Sequence, residues 1–310
     1  MHLPFYTADV FTNRLFSGAQ IAVLPNADNL TAAQMQLLAR EFNLSETVFI
    51  TSSQGEESAF RFRIFTPHNE IDFAGQALIA AGHVLVSNGL VSLNGQSTEF
   101  KVALNKSQVS MHIDQQQDQS LLIQFAMSVK PQIDEYTPEQ EELAEILSLA
   151  QSDLGAGKYR VLSSASDRNF LIIPAQSHAI VRQASFDMKA WSRTSAPATL
   201  AQSILLFTPH SDTSHADFHA RLLGPGIGVQ EDPPIGASIP AFVAYLAAHA
   251  HIVSGRHSFV VERGEPATRQ SLLSVEMDNY GNDEIPLRVG GQAVMVSSGT
   301  INSSEPKNRS

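Results

Sequence analysis

The chain contains no cysteine. That absence removes disulfides, zinc–thiolate centres and every mechanism in which a thiolate attacks or carries a proton. Charged residues are scarce at 16% of the 310 residues, and the balance is acidic, with Lys+Arg 20 against Asp+Glu 31 and a formal net charge of −11. A surface so short of positive charge offers little to a phosphate backbone or an anionic bilayer, so neither nucleic acid nor membrane is expected as a partner. No stretch approaches the roughly 18 to 20 apolar residues that cross a bilayer, and the opening MHLPFYTADVF carries neither a basic nor an apolar leader segment. A cytoplasmic location follows as an expectation. What remains is an ordinary globular composition, 43% hydrophobic, long enough for about two domains of ~150 residues.

Patterning along the chain reads as strands interrupted by a few helices. Strands are expected over Phe5–Phe11, Ile21–Leu24, Thr47–Thr51 and Ala59–Phe65, the last because Phe60, Phe62 and Ile64 alternate with Arg61 and Arg63. Thr31 followed by Gln34 is a capping-box pattern, and Met35, Leu38 and Phe42 continue it with helical spacing. Residues 97–113 and 120–126 read as further strands around an exposed polar turn, and a helix is expected over Pro138–Leu149, opened by Thr137 with Glu141 nearby. Strands follow near Tyr159–Leu162, Asn169–Ile173, Ser203–Thr208 and Asp217–Leu223.

Two segments stand apart because they are almost free of charge. After Gly75 comes QALIAAGHVL, and after Gly236 comes ASIPAFVAYL, each preceded by an acidic residue, Asp72 or Asp232. Both read as buried helices opened by glycine. Two half-chains, each wrapping a sheet around one such helix, would set two helix N-termini at equivalent positions. If those ends converge, their free amides and positive dipole ends suit a carboxylate, so a small organic acid is the expected partner.

Five segments carry a wider resemblance: DVFTNRLFSGAQIAVL, LAREFNLSETVFI, FRIFTPHNEIDFAG, HARLLGPGIGVQEDPPIGAS and VGGQAVMVSSGTI. In this order over residues 4–301 they resemble the phenazine-biosynthesis PhzF-like proteins of the diaminopimelate-epimerase-like superfamily. The resemblance implies an α+β fold of two similar domains, each a curved, mostly antiparallel sheet around a central apolar helix, with the site between them. It implies domain limits of 1–118 with about 287–301, then 119–286, while the polar, aperiodic stretch 302–310 reads as a frayed tail. It also implies a cofactor-independent isomerase or epimerase, commonly a homodimer, whose acid/base is a glutamate aligned with Glu46. Moving a proton beside a carboxyl group calls for such a residue set in apolar surroundings, and Glu46 lies between Leu44 and Val48.

The departures from the family pattern are as informative as the match. Where the family reads G-N-P, G-H-P-T and D-P-x-T-G-S, this chain has Gly18-Ala19-Gln20, Gly75-Gln76-Ala77-Leu78 and Asp232-Pro233-Pro234-Ile235-Gly236-Ala237. Gln76 hydrogen-bonds but does not titrate, so a second acid/base at that place is lost. The binding set implied is Gly75, Gln76, Asp232, Gly236, Ala237 and Ser238. For Gln76 a water-facing helix residue is the competing reading, and for Asp232 a turn or helix cap. The aliphatic replacements at Ala19, Leu78, Ile235 and Ala237 keep open a catalytically impaired binding protein on the same fold.

Other motifs point away from chemistry. His83 reads as a hydrogen-bonded core histidine. His215 and His219 form H-x3-H, but the intervening residues read as strand and no third ligand is evident, so no metal is expected. The G-P-G-I-G run at 224–228 lacks the Lys-Ser/Thr of a phosphate loop, so no nucleotide cofactor is expected either.

Overall fold

The computed structural model describes residues 2–53, 58–166, 168–212, 214–225 and 233–302. The chain divides into two compact units, one of Met1–Ala126 with Gly290–Ser310 and one of Met127–Val289.

In the first unit, strands β1 (His2–Val10) and β2 (Ala19–Leu24) form an antiparallel pair. Helix α1 (Ala32–Phe42) then crosses to β3 (Glu46–Ser52), which lies parallel to β2. A parallel pair needs such a crossover, since the chain must return to the starting edge. The expected capping box is present: Thr31 accepts the Gln34 amide and the Gln34 side chain accepts the Thr31 amide at 2.9 Å. Asn43, left-handed at φ 49°, ends the helix. Met35, Leu38 and Ala39 turn inward against Leu24, Phe49 and Phe65.

Strand β4 (Phe60–Phe65) pairs antiparallel with β3 and with the short β5 (Glu70–Ile71). Helix α2 (Gly75–Ser87) crosses next, and β6 (Ser97–Ala103) returns parallel to β4. A hairpin with β7 (Gln108–Gln115) leads on to β8 (Leu121–Val129). Helix α2 packs on β1, β2 and β3, and only three of its 13 residues escape full burial. A helix that is apolar all round belongs in a core, where each fully buried Leu, Ile or Val contributes about 1.5–3 kcal/mol. Gly82 permits the close approach, for a Cβ there would meet Ile123 Cγ2 at 3.0 Å and Met111 Cε at 3.2 Å.

The second unit opens with β9 (Gln132–Asp134) and α3 (Gln140–Leu147). Here the expected helix start shifts: Glu139, not Thr137, is the cap, and Glu142 completes the reciprocal box. Strand β10 (Leu162–Ala165) begins where the sequence reading ended it, and pairs antiparallel with β9 and with β11 (Asn169–Pro174). Two helices that periodicity missed, α4 (His178–Gln183) and α5 (Met188–Arg193), cross to β12 (Ser203–Thr208), parallel to β11. Each has only six residues, less than two turns, so no repeat can develop; Ser177 and Asp187 cap them instead.

Strand β13 (Phe218–Leu223) is antiparallel to β12. Helix α6 (Ile239–Ala247) then crosses to β14 (Gly255–Arg263), which is parallel to β13 and antiparallel to β15 (Ser271–Asn279). Helix α6 packs against β9, β10 and β11. The pairing sequence antiparallel, parallel, antiparallel, parallel, antiparallel therefore occurs once in β1–β2–β3–β4–β6–β7 and again in β10–β11–β12–β13–β14–β15. The two apolar helices occupy the same crossover in each repeat, which is the tertiary content of the likeness between QALIAAGHVL and ASIPAFVAYL.

After β16 (Ile285–Gly291), strand β17 (Ala293–Asn302) returns to the first unit and pairs antiparallel with β1 along its whole length, from His2 opposite Asn302 to Val10 opposite Ala293. The expected frayed tail lies outside the described residues beyond Asn302, which itself belongs to β17. Among the described residues no helix is long and apolar enough to cross a membrane.

Candidate functional site

Glu46 is the first residue of β3, placed beside Ile21 of β2 by the parallel register, and its 8% exposure makes it a buried carboxyl group. Gln76, the second residue of α2, is only 1% exposed, which rejects the water-facing reading. The two side chains meet: Gln76 Nε2 donates to Glu46 Oε1 at 2.9 Å. Residues thirty positions apart are joined because α2 packs onto the strand that carries Glu46.

The start of α2 is chemically unfinished. Ala74 occupies the cap position and no side chain caps the helix, although Gly75, Gln76, Ala77 and Leu78 are all buried. The first amides of a helix have no intrahelical acceptor, so a buried start without a cap leaves donors for another group. Asp72 supplies none of this, being paired with Lys106 Nζ at 2.6 Å. The other end of the Gln76 amide points the same way: Oε1 is buried with no hydrogen-bond partner among the described residues, as is Thr47 Oγ1 next to Glu46.

The first family loop is held by a residue that the sequence reading passed over. Asp9, fully buried near the end of β1, accepts the Phe16 amide at 2.7 Å through Oδ2. A charged side chain between Ala8 and Val10 in an apolar strand was the available signal. Gly18 closes the loop at φ +64°, and Ala19, where the family has asparagine, begins β2 opposite Val10 with 2% exposure.

In the second unit Gly236, Ala237 and Ser238 form one turn of 3-10 helix ahead of α6, so the α-helix itself begins at Ile239 and not at Gly236. Ser238 is fully buried and donates its hydroxyl to the Ile235 carbonyl at 2.7 Å, which commits its proton to the backbone. Ile235 is also buried. Asp232 lies outside the described residues. Gly75, Gln76 and Glu46 are thus brought together in the first unit, while Gly236, Ala237 and Ser238 form the 3-10 turn ahead of α6 in the second, with Gly236 and Ser238 buried.

One histidine reading changes. His83 is half-buried on α2, its Nδ1 has no hydrogen-bond partner among the described residues, and burial lowers its pKa. His215 is exposed while His219 is fully buried in β13, so the H-x3-H pair shares no site.

Comparison with known proteins agrees with this architecture. An uncharacterized isomerase of Mesorhizobium japonicum is 27% identical over 301 residues, covering 94% of this chain and 96% of the relative. The crystal structure of a Bacillus anthracis phenazine biosynthesis protein of the PhzF family superposes with a TM-score of 0.85 at 20% identity, covering 97% of this chain and 99% of that one. A hydroxyproline epimerase from Agrobacterium vitis, solved with bound trans-4-hydroxy-L-proline, shares the fold at a TM-score of 0.62 and 12% identity, over 97% and 91% of the two chains. The profile of the PhzC-PhzF family, described as phenazine biosynthesis-like protein, matches residues 8–299, and the chain belongs to that family.

Proposed function

We propose that the protein is an isomerase or epimerase that moves a proton on a small carboxylate-bearing molecule, with Glu46 as the acid/base. The observation that carries this reading is the buried pair of Glu46 and Gln76 at the uncapped start of α2. The family membership and the isomerase names of the relatives support it. In the reaction, the Glu46 carboxylate takes a proton from the carbon next to the substrate's acid group, leaving an enediolate, and the resulting carboxylic acid returns a proton to a different position or face. Charge and atoms balance without a redox partner. The substrate carboxylate accepts from the free amides at Gly75 and Gln76, where the helix dipole favours the negative charge that grows as the enediolate forms. Gln76 holds Glu46 through Nε2 and presents Oε1 to a donor on the substrate. It cannot itself titrate, so one carboxyl group performs both proton steps.

Deuterium wash-in from heavy water into a panel of small carboxylic acids tests the reading. Exchange catalysed by the wild-type chain and abolished in Glu46→Gln supports it. Exchange that persists in Glu46→Gln removes Glu46 from the role.

A second reading rests on a specific observation: Ala19, Leu78 and Ile235, polar positions in the family, are here fully buried aliphatic residues. A binding protein on the same fold would retain such acids without exchanging their protons, so calorimetric binding together with no deuterium uptake would select it.

A further inference from the structure

The second unit contains a cluster of metal-binding side chains that the isomerase reading does not use. His178 opens α4, His219 lies in the middle of the β12–β13–β14 sheet, and Glu262 stands near the end of β14, opposite His219 in the parallel register. All three are buried, with exposures of 8%, 0% and 0%. The two imidazole rings meet edge to face with centroids 4.0 Å apart. One donor atom from each of the three residues lies within 4.8 Å of the other two.

The state of the ring nitrogens separates this cluster from an ordinary buried polar network. His219 Nδ1 is 3.1 Å from Glu262 Oε2, and His178 Nδ1 faces Asp212 Oδ2 at 3.8 Å. The opposite nitrogen of each ring, Nε2, is buried and has no hydrogen-bond partner among the described residues. The 3.1 Å between His219 Nδ1 and Glu262 Oε2 is close to the spacing of two ligands on one tetrahedral cation, and the unpartnered Nε2 of His178 is open to a third bond. The carboxylate is itself fixed, for Ser211 donates to Glu262 Oε2 and Gln270 Nε2 donates to Oε1 at 2.5 Å. A polar network alone accounts for Glu262. It leaves two buried imidazole nitrogens with nothing to bond.

We propose that His178, His219 and Glu262 bind a divalent first-row transition cation that ties the start of α4 to strands β13 and β14. Two imidazoles and a carboxylate without thiolate suit zinc and its neighbours better than calcium or magnesium, which prefer oxygen alone. Bonds of about 2.0–2.2 Å in a tetrahedral shell put ligand atoms roughly 3.3 Å apart, so separations of up to 4.8 Å close with modest side-chain rotation. The role is structural: six-residue α4 is too short to be stable by itself, and the cation would anchor its first residue to the sheet. No local spacing signals it, because the ligands come from positions 178, 219 and 262, and the H-x3-H motif pairs His219 with His215, which is exposed.

The test uses the full chain stripped by chelator and titrated with Zn2+ by calorimetry, then with Co2+ followed by visible absorption. One equivalent of Zn2+ per chain, a Co2+ spectrum intensified over the aqua ion, and at least a tenfold loss of affinity in His178→Asn and His219→Gln but not in His215→Asn are the expected results. No uptake by the wild-type chain, or uptake undiminished in His178→Asn and His219→Gln, overturns the proposal, as does loss in His215→Asn alone. Should the two ligand variants fail to fold by circular dichroism, the wild-type Co2+ spectrum decides: absorption unchanged from the aqua ion overturns it.

Discussion

Gln76 Nε2 donates to Glu46 Oε1 across 2.9 Å, tying the first turn of an apolar helix to the first residue of the strand beneath it. Both partners are buried, so neither can exchange this bond for water. Gln76→Leu removes the donor and leaves the Glu46 carboxyl without it. An expected loss of about 1–3 kcal/mol follows from removing a hydrogen bond to a buried carboxyl group, read as a lower urea midpoint with unchanged slope. Deuterium exchange on a responsive acid should fall at least tenfold, because Glu46 loses the bond that orients it.

Gly18 sits at φ +64°, and a Cβ there would lie 2.3 Å from the Val10 carbonyl oxygen and 2.7 Å from Thr12 Cγ2. The carbonyl is backbone and cannot swing away. Gly18→Ala should therefore cost roughly 2–3 kcal/mol through left-handed strain and overlap, whereas Gly95→Ala, with open space around it, should cost only about 1 kcal/mol. Thermal denaturation of the two variants side by side checks the difference.

Arg63 and Glu70 form a two-pronged pair at 2.8 and 2.7 Å, with Asn105 donating a third bond to the carboxylate at 3.1 Å. The Arg63 guanidinium holds Glu70 below the usual carboxylate range, against a smaller opposing effect of burial. A depressed acid stabilises the fold above its unfolded pKa, near 4.3, and that contribution is lost as pH falls through the folded value. Wild-type stability should therefore drop more steeply than that of Glu70→Gln as pH falls below about 4.3. Urea midpoints measured from neutral pH downward test this, and parallel curves for the two proteins would refute it.

His249 is buried with both nitrogens engaged: Nε2 accepts the Arg160 amide at 3.1 Å, so Nδ1 carries the proton and donates to the Tyr245 carbonyl at 2.8 Å. Protonation would destroy the first bond, and burial lowers the pKa. Because the folded value lies below the unfolded one, near 6.5, the neutral ring costs stability only as pH falls below about 6.5, where the unfolded chain takes up the proton. Nitrogen-detected NMR should show Nε2 of His249 mainly unprotonated at about pH 6.5, the ordinary imidazole midpoint. A charged His249 at that pH would contradict the hydrogen-bond assignment.

Local chemistry was legible residue by residue. The Thr31 and Gln34 capping box, the alternation of Phe60 to Ile64 and the charge-free runs after Gly75 and Gly236 each formed the element they predict. Readings slipped where several residues of one type competed, as when Glu139 and Glu142 took the cap expected of Thr137, or where a helix was shorter than its own period, as in α4 and α5.

By itself the amino-acid sequence determined the alternation of strands with two buried helices and the exclusion of thiol chemistry, because these depend on side-chain type and near-neighbour spacing. Tertiary structure alone decided that Gln76 turns inward to Glu46, that Asp9 holds the loop before Ala19, and that His178 and His219 converge on Glu262. Such pairings span seven to more than eighty positions, and they are set by how strands register and helices pack, which no local pattern encodes.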